Sequence, residues 1–282
     1  MNEVMNSMVN ASAAKDFLRK DRMPTVWCPG CGNGIILSSF LRAVKELNLM
    51  KREVAVISGI GCSSRATGYI DFNTLHTLHG RAIAFATGVK MVNPSLRVIV
   101  LTGDGDALAI GGNHFIHACR RNIDLTVIIF NNRMYGMTGG EFSPTTPEGD
   151  FSTTSVYGNI DPPFDVVNLA KAAEATYVAR STAYHHMLTT KYIKEGILHK
   201  GISVIDVFTP CPTYYGRYNL SSKPTDMLFY LRDHAVMNTK AQAMSREELK
   251  DKFIIGKFVD IEREEYTERY AKIIERASEV RE

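Results

Sequence analysis

Short runs of branched apolar residues alternate along this chain with stretches of helical periodicity, and that alternation narrows the fold more than any other feature. The runs lie at 54–57, 97–101, 125–130 and 202–208, and each is almost continuously apolar. A strand of that composition is buried on both faces, the condition of a parallel sheet covered by helices on either side. The covers come from stretches with helical spacing at 33–47, 82–92, 109–121, 166–175 and 184–194. The expected fold is α/β, a parallel sheet with helices on both faces.

A chain of 282 residues, 45% of them apolar, is long enough for one such domain and a tail. Residues 1–15 lack periodicity and are expected to be flexible. The main domain is expected at 16–210, followed by a C-terminal extension at 211–282. Within the extension, 242–282 is highly charged, with Glu, Lys and Arg at three- and four-residue spacing, and reads as a solvated or partner-covering tail, helical in parts.

Net charge excludes one class of partner. The formal charge is +3 and no block of five Lys or Arg occurs, so nothing offers an electrostatic footprint to nucleic acid. No stretch approaches eighteen uninterrupted apolar residues, and the start MNEVMNSMVNASAAKDF lacks the basic and apolar regions of an export signal. No membrane association and a cytoplasmic location are expected. Five cysteines, an odd number, then argue for metal binding or catalysis rather than a disulfide framework.

In an open parallel sheet, ligands bind beyond the carboxyl ends of the strands, where loops diverge and helix N-termini point their N–H groups outward. Four strand ends carry unusual sequences: SGIGCSSR at 58–65, TGDGD at 102–106, NNRMYGMTGG at 131–140 and TPCP at 209–212. They are expected to converge on one edge. The long aperiodic stretch 133–163 is expected to be a substrate or cofactor loop.

GDG followed by NN supplies one carboxylate and one amide oxygen on adjacent loops. Mg²⁺ takes octahedral oxygen coordination, commonly from one or two side chains plus phosphates, so Asp104 and Asn132 are its candidate ligands. Gly103 and Gly105 let backbone approach a diphosphate, and a helix beginning near Ala107 aims its N-terminus at it.

Cys28 and Cys31 form a CxxC at a helix entrance, while Cys62 and Cys211 sit on strand-end loops. Four thiolates are the number a [4Fe–4S] cluster needs. Structural zinc with four Cys is the stronger rival, and a thioredoxin-like pair would leave Cys62 and Cys211 without a role. Cys119 reads as a buried core thiol. His79 is either a diphosphate contact or a cap, and Arg65 either meets a carboxylate or lies on the surface. His114, His117, His185 and His186 read as structural.

The GDG–NN pair resembles the motif of the thiamine-diphosphate enzymes. That resemblance implies the diphosphate-binding fold of those enzymes, with Mg²⁺ held by Asp104, Asn132 and the backbone carbonyl of Met134. With WCPGCG, GIGCSSR, TLHGRA, GDGDALAIGGNHFIHACRRN, NNRMYGMTGGEFSPTT and TPCPTYY, the chain resembles the β subunits of 2-oxoacid:ferredoxin oxidoreductases from about residue 25 to 220. It implies that Cys28, Cys31, Cys62 and Cys211 bind one [4Fe–4S] cluster near the thiazolium. Gly61, His79, Gly103, Gly105, Asp106 and Gly136 are then expected at the cofactor, and Met137, Thr138 and Gly139 on its substrate side.

The same resemblance implies three partners besides the 2-oxoacid: an α subunit that supplies the acid activating the pyrimidine, ferredoxin as electron acceptor, and coenzyme A. The stretches YGMTGGEFSPTTP and IDPPFD resemble 2-oxoglutarate enzymes more than pyruvate ones. Arg65 is then expected to receive the distal carboxylate, or alternatively the diphosphate. Pyruvate and branched-chain 2-oxoacids are alternative substrates. A zinc- or cluster-stabilised nucleotide-binding module without catalysis is the alternative of another class.

Overall fold

Every branched run forms a strand in the computed structural model, which describes residues 14–279. The segment 1–13, where most of the flexible N-terminus is expected, lies outside the described residues. The strands are β1 (Val54–Ser58), β2 (Asn73–His76), β3 (Arg97–Gly103), β4 (Thr126–Asn131), β5 (Met134–Tyr135), β6 (Glu141–Phe142), β7 (Tyr177–Thr182), β8 (Ser203–Phe208), β9 (Ala235–Met237) and β10 (Phe253–Asp260). All but β5 and β6 build one eight-stranded sheet in the order β2-β1-β3-β4-β8-β7-β10-β9.

From β2 to β7 every neighbouring pair is parallel. β10 runs antiparallel to β7, and β9 pairs parallel with β10. The expected parallel sheet therefore holds for its six-strand body and gains two strands from the C-terminal extension. β10, FIIGKFVD, buries Phe253 and Ile255 against the domain while exposing Lys257, and its flanking charges hide it in the sequence.

Side chains of the central strands alternate between two cores. Val54, Val56, Ile99, Leu101, Ile128 and Ile205 face one side, under helices α1 (Asn33–Glu46) and α5 (His186–Leu198). Ala55, Ile57, Val98, Val100, Val127 and Val204 face the other, under α2 (Ala82–Val92), α3 (Gly112–Arg121) and α4 (Val166–Ala172). Helix α1 buries Ile36, Leu37, Phe40, Leu41 and Val44, the three- and four-residue spacing of one helical face. Each such large side chain contributes about 1.5–3 kcal/mol by leaving water.

Two further helices complete the layers, α6 (Pro224–Asp233) and α7 (Tyr266–Glu279). Along α7 only Thr267 is buried. The helix expected from Ala109 starts instead with a π-helical turn, Asp106–Ile110, before α3. Wide turns of this kind are frequent at functional sites. Cys119 is fully buried in the second core.

Candidate active site

The strand order explains why the motif loops meet. β1, β3, β4 and β8 are consecutive in the sheet, so the segments after Ser58, Gly103, Asn131 and Phe208 leave side by side from one edge. A cavity of about 270 Å³ opens between them. Gly61, His79, Asp104, Gly105, Asn132, Met134, Gly136, Met137 and Thr138, all expected cofactor or substrate residues, line it. Gly103, Asp106 and Gly139 do not.

Asp104 is 2% exposed, and its Oδ2 accepts hydrogen bonds from Ser143 Oγ and Thr145 Oγ1, each at 2.6 Å. Burial pushes its carboxyl up to about 6 against the pull of those hydroxyls. A divalent cation supplies the positive charge that such a carboxylate lacks. Asn132 Oδ1 accepts from the Met134 backbone N–H at 3.1 Å, which folds the loop so that the Asn132 amide and Met134 share the wall with Asp104. This oxygen set fits Mg²⁺.

Behind the wall, Thr145 Oγ1 lies 3.0 Å from Asn131 Oδ1, and Asn131 Nδ2 donates to Asp206 Oδ1 at 3.0 Å. Arg180 Nε donates to Asp206 Oδ2 at 2.7 Å, and its Nη2 reaches Asp165 at 3.0 Å. The first Asn of the NN pair is thus a strut, and only the second reaches the cavity.

Asp106 is also a strut. Its Oδ1 accepts from the Gly80 and Ile60 backbone N–H groups at 2.7 and 3.3 Å, and its Oδ2 from Thr102 Oγ1 at 2.8 Å. His79 Nδ1 stands 2.8 Å from Asp106 Oδ1, outside hydrogen-bond alignment, with its ring half-exposed at the cavity. Asp106 therefore fixes the 59–61 and 79–80 turns around the site while its own oxygens are occupied. Gly105 has no room for a side chain, because a Cβ there would collide with the Tyr135 ring. Tyr135 donates to Gly105 O at 3.2 Å, and burial pushes its hydroxyl up to about 12.

Cys28, Cys31, Cys62 and Cys211 all line a second, smaller void of about 60 Å³ beside the first. Arg65, itself exposed, lines this void and not the larger cavity. The position a Cβ would take on Gly136 is 3.7 Å from both Cys62 Sγ and Cys211 Sγ.

Glycines let the CPGC loop reach this place. Gly30 adopts φ +78° and packs directly on Pro224, and a Cβ on Gly32 would strike Thr209 and Pro210. Gly32 N donates to Pro210 O at 3.1 Å, and Trp27 Nε1 donates to Cys62 O at 2.6 Å. Burial and the neighbouring thiols push Cys31 up to about 12 and Cys62 up to about 11. Cys31 and Cys62 stay protonated until a metal displaces their protons.

Among the described residues, no three His, Cys, Asp or Glu side chains gather at the spacing of a single metal ion. The small void gathers four cysteine sulfurs, with neither carboxylate nor imidazole in its wall, and that set fits a thiolate-bound centre. Ser143, Thr145, Tyr135 and Asn33 have no place in the sequence reading of the site. Ser143 and Thr145 belong to EFSPTT, a hydroxyl-rich stretch just beyond the NN loop, which is the one signal that points to them.

Comparison with known proteins agrees with this geometry. Residues 59–207 match the family of the thiamine pyrophosphate enzyme, C-terminal TPP binding domain. The chain is 53% identical over 263 residues to a 2-oxoglutarate synthase subunit KorB from Methanocaldococcus jannaschii, covering 93% of this chain and 97% of that one. It is 56% identical over 219 residues to the subunit of the same name from Archaeoglobus fulgidus, covering 78% and 80%. Among solved structures it is similar to the 2-oxoglutarate:ferredoxin oxidoreductase from Magnetococcus marinus with 2-oxoglutarate, coenzyme A and succinyl-CoA bound. That match has a TM-score of 0.84 and 34% identity, and covers 94% of this chain and 90% of that one.

Proposed function

This chain belongs to the 2-oxoacid:ferredoxin oxidoreductase subunits, with the fold of the thiamine pyrophosphate enzymes, and on that premise we propose that it carries both cofactors of a 2-oxoglutarate enzyme. The reaction is oxidative decarboxylation of 2-oxoglutarate to succinyl-CoA and CO₂, or its reverse, with ferredoxin exchanging the electrons. An α subunit completes the site, and the location is cytoplasmic. No helix of the described residues is long and apolar enough to cross a membrane.

Residues 16–210 form the thiamine-diphosphate and iron–sulfur domain, and 211–282 the extension that contributes Cys211. Asp104, Asn132 and the Met134 carbonyl hold Mg²⁺ and through it the diphosphate. Gly61, Gly105, Gly136 and His79 surround the cofactor, while Gly103, the last residue of β3, leads into Asp104 and Asp106 braces the turns from behind. Thiamine diphosphate supplies the electron sink for decarboxylation. Cys28, Cys31, Cys62 and Cys211 hold one [4Fe–4S] cluster. Met137 and Thr138 bound the substrate, and Arg65 meets its distal carboxylate.

One observation carries this reading: Cys62, Asn132, Gly136 and Met137 line both the larger cavity and the four-cysteine void. A diphosphate-cofactor site and a thiolate-bound centre with common walls suit two-electron oxidation into a one-electron acceptor. The test is the metal content of the enzyme purified anaerobically with its partner subunit. Iron and sulfide matching one cluster per chain, with a visible absorbance that bleaches on reduction, supports the reading. Zinc in place of iron overturns it in favour of a structural centre.

A further inference from the structure

We infer that Asn33 donates a hydrogen bond, through Nδ2, to an oxygen of the bound 2-oxoacid. The inference rests on the functional reading above and adds a substrate contact to it. Asn33 opens α1, two residues after Cys31, and is 1% exposed. Asn33 lines the larger cavity, yet its Nδ2 finds no hydrogen-bond partner among the described residues. A buried amide donor left without an acceptor is destabilising, and native proteins seldom keep one without a ligand or water to satisfy it.

The position of this donor is tightly set. Asn33 is the first residue of α1, and the preceding Gly32 is tied to Pro210 O at 3.1 Å. Asn33 therefore belongs to the thiol side of the cavity, whereas the proposed metal ligand Asp104, which lines the larger cavity and not the four-cysteine void, marks the diphosphate side. Ile60, Phe130 and Met137 are apolar members of the same wall. The reacting carbon must lie between the diphosphate anchor and the electron acceptor, and its keto oxygen and carboxylate are the oxygens that a donor on the thiol side can meet. A neutral amide serves there because it stabilises negative charge without giving up its proton.

Every 2-oxoacid has the keto oxygen and the adjacent carboxylate, so Asn33 acts on all of them alike. This separates it from Arg65, whose proposed contact is with the distal carboxylate. The decisive variant is Asn33→Leu, assayed in the enzyme assembled with its partner subunit. Leu has nearly the same volume and removes the orphan donor, so the thermal midpoint of the substrate-free enzyme holds or rises, with iron and thiamine-diphosphate contents unchanged. Values of kcat/KM for 2-oxoglutarate and 2-oxobutyrate fall together by about 10- to 150-fold, the range for a hydrogen bond to a charged group. Without coenzyme A, 2-oxoglutarate raises the thermal midpoint of wild type but not of Asn33→Leu.

Asn33→Asp keeps the shape and replaces the donor with an acceptor, and it lowers both kcat/KM values at least as far. It decides the matter if Asn33→Leu does not assemble. Undiminished kcat/KM in either variant overturns the inference, as does loss of iron or thiamine diphosphate from Asn33→Leu, which makes the residue structural. Absence of any 2-oxoacid turnover in wild type overturns the functional reading and this inference with it.

Discussion

Thr145 Oγ1 lies 2.6 Å from Asp104 Oδ2, so a hydroxyl from the loop after β6 holds the carboxylate at the end of β3. Thr145→Val removes that donor while keeping the shape, and leaves Asp104 with Ser143 as its one side-chain donor. Hydrogen bonds to charged groups contribute about 1.5–3 kcal/mol, so Mg²⁺-dependent thiamine-diphosphate affinity falls by about tenfold or more. Asp104→Ala abolishes it, with iron content unchanged. Titration of the assembled complex in the presence of Mg²⁺ measures both effects, and wild-type affinity in Asp104→Ala would exclude the site.

Cys211 and Cys119 are both buried, but only Cys211 borders the four-thiol void. Cys211→Ser loses or cripples the iron centre, while Cys119→Ser keeps its iron and changes only core packing. Iron analysis of anaerobically purified variants checks this. The opposite pattern would reassign the ligands.

His199 gives stability a dependence on pH. Its Nε2 lies 2.8 Å from Thr176 Oγ1, and burial lowers its pKa from the usual 6.5. Between that lowered value and 6.5 the unfolded chain binds more protons than the folded one. The stability is therefore complete above about 6.5 and is lost as pH falls through this window, by at most about 1.4 kcal/mol per pH unit. His199→Gln flattens this part of the slope. Thermal midpoints of wild type and variant, compared between about pH 8 and about pH 5.5, show it. Parallel curves would remove His199 from the account.

Much of the sheet was legible because β1, β3, β4 and β8 are buried on both faces, and burial on both faces leaves a continuous apolar run in the sequence. β2 and β10 were not, since NTLH is mostly exposed at the edge and FIIGKFVD is interrupted by Gly256 and Lys257. In the site, Asp104 and Asn132 follow from residue chemistry at fixed spacing, and the four cysteines from a CxxC, two strand-end positions and the family resemblance. Ser143, Thr145 and Asn33 do not, because hydroxyls and amides are common and acquire a role only through the fold that aims them. Asp106 shows the converse: its place beside GDG suggests the cofactor, yet its oxygens are filled by Gly80, Ile60 and Thr102.

Arg65 stands in the wall of the four-cysteine void, away from Asp104, which favours a substrate carboxylate over the diphosphate as its partner. Arg65→Met lowers kcat/KM for 2-oxoglutarate by about 10- to 150-fold, with little penalty for pyruvate, which has only a methyl group at that place. Steady-state kinetics of the assembled enzyme with saturating cofactor separate the two roles. A uniform loss across 2-oxoacids would return Arg65 to the cofactor.

The most direct test of the central claim is ferredoxin reduction by this chain, alone and assembled with its α subunit, on 2-oxoglutarate and on pyruvate with coenzyme A. The assembled enzyme reduces ferredoxin with a higher kcat/KM for 2-oxoglutarate than for pyruvate, and the chain alone reduces none, because the proposed function assigns the acid that activates the pyrimidine to the partner. A preference for pyruvate would contradict the substrate assignment, and turnover by the homogeneous chain alone would contradict the shared active site.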